Sequence, residues 1–213
     1  MNEATGVLLS FLIQTVVISL SGVMAPGPVT TATLAQGSRN RWAGTLIALG
    51  HGILEIPLIF LLMLGFAAVF EYPLTRTAIG ITGGLFLIWM SFGMLREIRK
   101  PDFNPQAVSS RGPLMTGFFL SATNPYFLFW WVSVGLNLAW RAQAIGWSAL
   151  VLFAVVHWAC DLVWLTILAF SAFYGANLLS RRNQKWILGF CALALAGFGI
   201  RFLLDAFYSD FSS

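Results

Sequence analysis

Residues 51–55 read His51-Gly52-Ile53-Leu54-Glu55, and residues 157–161 read His157-Trp158-Ala159-Cys160-Asp161. These are the only two histidines in the chain, and each stands four residues ahead of a carboxylate in an otherwise apolar stretch. His51 to His157 and Glu55 to Asp161 both span 106 positions. A charge held in hydrocarbon is expensive, so it marks function by default. Two such groups repeated at one offset point to a duplicated unit. Residues four apart are neighbours on a helix, so each pair occupies one face of its own helix.

The surroundings of the two pairs define the solvent. Hydrophobic residues make up 58% of the 213 and charged residues only 9%, with mean hydropathy +0.81. A soluble domain carries about 25% charged residues. Apart from the two carboxylates, the long apolar runs resolve into six segments, at about 6–25, 43–68, 75–95, 114–137, 145–174 and 186–207. Each is near or above the roughly 20 residues that a helix needs to cross hydrocarbon. Unbroken apolar runs lack the alternation of a lipid-facing barrel, which leaves helices. The longest polar stretch, about Arg96 to Pro113, is too short for a soluble domain and reads as a loop. The expectation is an all-α integral membrane protein, one transmembrane domain over 1–213. No soluble catalytic module is left over, and an enzyme is not expected.

The first segment lacks a basic leader, since Glu3 is the only charge before Arg39. It reads as a retained helix, not a signal peptide. Arg39 and Arg41 fall in the first loop, Arg96, Arg99, Lys100 and Arg111 in the third, and Arg181, Arg182 and Lys185 in the fifth. The positive-inside rule places these loops in the cytoplasm and both termini outside, in a multi-pass cell (inner or plasma) membrane protein. The net charge of +4 follows from that asymmetry and needs no nucleic-acid partner. Trp42, Tyr72, Trp140, Trp147, Trp186 and Tyr208 fall near predicted helix ends, as interfacial aromatics do. Cys160 and Cys191 lie within predicted helices and read as small hydrophobes.

Three helices per half make the second half enter the membrane from the opposite side. The expected architecture is therefore two inverted three-helix repeats, about 1–100 and about 112–210. Secondary transporters are commonly built this way, with the site near mid-membrane where the repeats meet. The first helix of each half carries a break: Ala25-Pro26-Gly27-Pro28 in helix 1 and Thr123-Asn124-Pro125 in helix 4. Proline removes a donor and clashes with the preceding turn. The freed backbone groups must then be satisfied by protein or by a water-filled cavity. Pro57, by contrast, reads as a simple kink. Gly80, Gly83, Gly84 and Gly93 in helix 3, and Gly189, Gly197 and Gly199 in helix 6, read as packing positions. Trp130 and Trp131, after the helix-4 break, could shape a substrate cavity but read more readily as lipid-facing, and Arg201, Asp205 and Asp210 read as groups reaching the outer interface.

With these features the chain resembles the lysine exporter (LysE) family of small six-helix amino-acid exporters. The resemblance rests on Pro26-Gly27-Pro28 followed by Thr30-Thr31-Ala32-Thr33, on Asn124-Pro125 in helix 4, and on Leu49-Gly50 followed by Glu55 in helix 2. It covers nearly the whole chain. Tyr126 stands where the family often carries a lysine, and the doubled histidine–carboxylate pair is not a general family feature. Related thiol-electron carriers use cysteines in helices 1 and 4, and neither helix contains one here.

The resemblance implies export of an amino acid or similar small metabolite. In a dry site desolvation penalises a carboxylate's charge and a neighbouring imidazolium offsets it, so His51, Glu55, His157 and Asp161 suit proton or cation coupling in an antiporter. Pro26, Gly27, Pro28, Thr30, Thr31, Asn124 and Pro125 are the expected substrate-site residues, with helix-break amides serving the substrate's carboxylate. No cofactor is expected. The same four side chains are also a credible two-His, two-carboxylate set for a divalent metal, as ligand or as exported cargo. Alternatively each histidine–carboxylate pair merely neutralises itself and pins helices 2 and 5 together. An intramembrane enzyme would need a nucleophile, and no recognised spacing links Ser21, Thr123 or Cys160 to the histidines. The expected partners are lipid, substrate and protons. A homodimer is compatible with the chain, though no sequence feature demands it.

Overall fold

The computed structural model describes residues 3–24, 27–66, 69, 72–99, 112–178 and 180–209. Apart from short turns they are helical: α1 Glu3–Val23, α2 Pro28–Gly37, α3 Ala43–Met63, α4 Pro73–Ile98, α5 Pro113–Ala122, α6 Pro125–Trp130, a π-helical turn Trp131–Gly135, α7 Leu136–Ile145, α8 Trp147–Asn177 and α9 Arg181–Ser209. Proline occupies the first turn of α2, α5 and α6, where its missing donor costs nothing and its fixed φ suits the helix. Asn124 caps α6, its side-chain oxygen accepting from the Tyr126 amide at 3.1 Å. Gly146 joins α7 to α8 with φ of 152°, a conformation that disfavours a side chain.

Among the described residues five helices are long and apolar enough to cross a membrane: Thr5–Val23, Ala43–Met63, Thr77–Arg96, Trp147–Ala176 and Lys185–Phe207. The sixth expected span, 114–137, is instead divided among α5, α6, the π turn and α7, and only α5 stands out as a shorter apolar helix. Two differences concern the first span. The helix ends at Val23, and the chain resumes helix at Pro28, so the polar threonine stretch forms a separate helix, α2. Ala25 and Pro26 lie outside the described residues, and so does Asp210.

Large apolar side chains such as Ile13, Val17, Leu85, Val163 and Phe190 remain exposed, as they would be against lipid. Inside, α3 lies between α5 and α8, α4 runs along α9, and α2 packs on α8 and α9. Small residues permit these approaches. A Cβ on Gly50 would meet the main-chain carbonyl of Leu114, one on Gly117 that of Ile47, and one on Gly44 that of Leu165. Gly84 meets the Gly199 carbonyl in the same way and Gly80 the Ala206 side chain, as expected for packing positions, whereas Gly93, Gly189 and Gly197 have open space. Two large apolar clusters and a small one of Ile47, Ala48 and Leu165 result among the described residues. One large cluster contains Phe11, Leu58, Leu62, Trp131 and Phe153; the other contains Leu87, Met90, Leu120, Leu195 and Phe202.

Candidate functional site

The close approach of α3 to α5 and α8 brings His51, Glu55, His157 and Asp161 into one buried cluster. The sequence spacing pairs each histidine with the carboxylate on its own helix; His51 keeps that partner, and His157 does not. His51 Nε2 lies 3.0 Å from Glu55 Oε1, and His157 Nε2 reaches across from α8 to the same oxygen at 3.1 Å. Trp131 Nε1 donates to that oxygen as well, at 3.2 Å. Glu55 is the hub and is fully buried. Asp161 stands 3.8 Å from both imidazoles, and its Oδ2 has no hydrogen-bond partner, nor has Glu55 Oε2.

The outer ring nitrogens are held by two serines that precede the two breaks. Ser121, in α5, sits 2.6 Å from His51 Nδ1, and Ser19, in α1, sits 2.7 Å from His157 Nδ1. Each serine comes from the half of the chain opposite to its histidine. The Ser121 hydroxyl donates to the Gly117 carbonyl at 2.7 Å. It therefore accepts from His51, whose Nδ1 carries hydrogen. The 3.0 Å contact between His51 Nε2 and Glu55 Oε1 then needs one further proton, held by nitrogen or by oxygen.

Aromatic rings enclose the cluster. Trp130 stacks on His157 at 5.1 Å between centroids, Trp131 meets the same ring edge-on at 5.0 Å, and Phe127 meets His51 at 4.9 Å. The lipid-facing reading of Trp130 and Trp131 is thus corrected: Trp131 is buried, and Trp130 packs on a site histidine. The π turn that begins at Trp131 and the small Gly135 behind its ring allow the indole to turn inward.

A cavity of about 560 Å³ opens onto the cluster. Its wall includes all four titratable groups together with Gly27, Pro28, Thr30, Asn124 and Pro125, so both breaks border it. Thr31 is not in the wall; its hydroxyl turns back to the Gly27 carbonyl at 2.9 Å. Pro26 lies outside the described residues. Arg201 and Asp205 also border the cavity, as an exposed pair 3.7 Å apart on α9. Ser19 and Ser121 are site residues that the sequence reading passed over, and Trp130 and Trp131 are site residues that it turned toward lipid. The serines carried a signal, since a hydroxyl inside an apolar run ahead of each break lacks water and must find a partner. The tryptophans carried none, because nothing in the sequence announces a π turn.

Chemically, the arrangement offers a proton-holding hub, two acceptor oxygens without donors, and a cavity that reaches both broken helices. A family model described as LysE type translocator matches residues 20–206. The chain is 25% identical over 195 residues to "Putative amino acid efflux protein YcgF" of Bacillus subtilis (strain 168), covering 88% of this chain and 92% of that protein. It is 26% identical over 220 residues to a threonine efflux protein of Escherichia coli (strain K12), covering 93% of this chain and all of that protein. A threonine efflux protein of Salmonella typhi is 25% identical over 206 residues, covering 88% and 95% of the two chains. No solved structure matches.

Proposed function

This chain belongs to the LysE type translocator family, and from that premise we propose that it exports an amino acid or related small metabolite by proton antiport. It is a multi-pass membrane carrier, not an enzyme, built as two inverted repeats with both termini outside. One observation carries the proposal. The acid-bearing helices of the two halves meet in a single buried cluster that borders a cavity reaching both breaks. The bond from His157 to Glu55 also ties α8 to α3, as a purely structural cluster would, but a structural cluster needs no cavity at its side.

In the proposed cycle, substrate enters from the cytoplasm with its ammonium at the carboxylate oxygens that lack donors. Its carboxylate faces the backbone amides at the start of α2 and the Asn124 side chain, donors that the breaks leave at the cavity wall. A proton arriving from outside neutralises the cluster, and the ammonium loses its counter-charge and departs. Gly27, Pro28, Thr30 and Pro125 shape the cavity, Thr31 supports the first break from behind it, and Pro26 belongs to the same proposed substrate-site motif.

The reading is tested in proteoliposomes loaded with labelled amino acid. An imposed proton gradient, acid outside, is expected to accelerate efflux, and a protonophore is expected to abolish the acceleration. Efflux indifferent to the gradient contradicts antiport. Ser19→Ala and Ser121→Ala are expected each to lower the rate by roughly tenfold, because loss of one buried partner costs about 1–3 kcal/mol. Equal losses in the two variants would reflect the paired arrangement, and an unaffected rate in either counts against it.

One observation supports a second reading. Ligand atoms of His51, Glu55 and Asp161 all lie within 4.8 Å of one another, close enough to hold a divalent cation as cargo. Calorimetry with zinc, nickel, cobalt and manganese separates the readings: heat of binding that His51→Ala abolishes favours the metal, and its absence favours the amino acid.

A further inference from the structure

The two carboxylates at the site are not equivalent. Glu55 is 0% exposed, and its Oε1 already meets three nitrogen groups. Both carboxylates border the cavity and each holds an oxygen with no donor, but Asp161 keeps 7% of its surface and stands 3.8 Å from the imidazoles, clear of their hydrogen bonds. A substrate ammonium entering the cavity therefore meets Asp161. Beyond the cluster the wall is largely apolar, built from Val29, Leu165, Phe198, Phe202 and the Trp130 ring. The remaining charged pair there, Arg201 and Asp205, stands 3.7 Å apart on α9, so a basic side chain reaching Asp205 also meets the like charge of Arg201. The Ser19 and Ser121 hydroxyls in the wall are held by the histidines and are not offered to a hydroxyl side chain. A cavity of about 560 Å³ is also roomy for a small amino acid, whose side chain would leave much of the apolar wall uncovered.

We propose that the cargo is a neutral amino acid with a large apolar side chain, its ammonium at Asp161 and its side chain against Phe198, Phe202 and Trp130. This rests on the export reading above and narrows its substrate. Burial of even one additional methylene in an apolar pocket discriminates by about 10–200-fold. Leucine, phenylalanine and methionine are thus expected to outcompete threonine by at least about tenfold. Lysine finds no unopposed partner for its side-chain charge.

The test is efflux of labelled leucine, labelled threonine and labelled lysine, measured separately from proteoliposomes of the full chain, with unlabelled competitors in each arm. The expected result is efficient leucine efflux, inhibited by phenylalanine at concentrations at least about tenfold below those required of threonine, with lysine inert. Phe198→Ala is expected to weaken competition by leucine more than competition by threonine. Threonine or lysine moving as well as leucine overturns the proposed cargo and leaves export standing. A Phe198→Ala protein that keeps the full preference for leucine overturns the proposed seating. Movement of no labelled amino acid in any arm overturns both the cargo and the export reading.

Discussion

Glu55→Gln is expected to abolish gradient-driven efflux, with a fall of at least about a hundredfold. Three nitrogen groups converge on one Glu55 oxygen, from His51 on α3, His157 on α8 and Trp131 after the second break. An amide at this position removes the anion that the two imidazoles share and can carry no transferable proton. Removing one partner of a buried ionic cluster costs about 3–5 kcal/mol, which corresponds to more than a hundredfold in an equilibrium or rate constant. Asp161→Asn is expected to fail as well, but differently. Asp161 contributes little to holding the imidazoles, from which it stands at 3.8 Å, so the folded protein should keep its thermal stability while losing substrate. Efflux by each purified variant, read beside its melting temperature, separates the two effects. Unimpaired efflux in both would remove the mechanism.

The second large effect is structural. Gly117→Ala and Gly50→Ala are expected to destabilise the protein severely, because even a methyl group there meets main-chain carbonyls, at Ile47 and Leu114 respectively. Elsewhere in a helix the same substitution favours the helix by about 1 kcal/mol. Gly93→Ala, which meets open space, supplies that comparison. Overpacking costs about 1–3 kcal/mol and exceeds the propensity gain when the obstacle is backbone, which cannot rotate away. The contact also positions the site, since the α3–α5 approach delivers Ser121 to His51. Thermal unfolding in detergent is expected to show both site variants melting well below the wild type and Gly93→Ala at or slightly above it. Wild-type melting in Gly117→Ala would mean that α3 and α5 are not so close.

Much of this was legible in the sequence because lipid simplifies the problem. The apolar runs marked five of the spanning helices to within a few residues, and the prolines marked both breaks. The 106-residue offset anticipated that His51, Glu55, His157 and Asp161 would gather. It did not reveal who bonds whom. Spacing along one helix identifies neighbours only on that helix, so it suggested His157 with Asp161. The cross-helix bond from His157 to Glu55 depends on how closely α3 and α8 approach, which Gly44 and Gly52 permit against Leu165 and Trp158. The polar threonine stretch after the first break carries Thr30 and Thr31 as expected substrate-site residues, yet it packs as α2 with Thr31 and Thr33 buried. The inward turn of Trp131 depends on the π turn, a register change that leaves no mark in composition.

The central claim is that the cluster joining the two halves exchanges protons for substrate. Its most direct test uses proteoliposomes enclosing a pH-sensitive dye and loaded with leucine, diluted into leucine-free buffer without any imposed pH gradient. The interior is expected to acidify as leucine leaves, with acidification absent from Asp161→Asn and Glu55→Gln proteoliposomes. Leucine efflux from wild-type protein with no accompanying change in internal pH would contradict it.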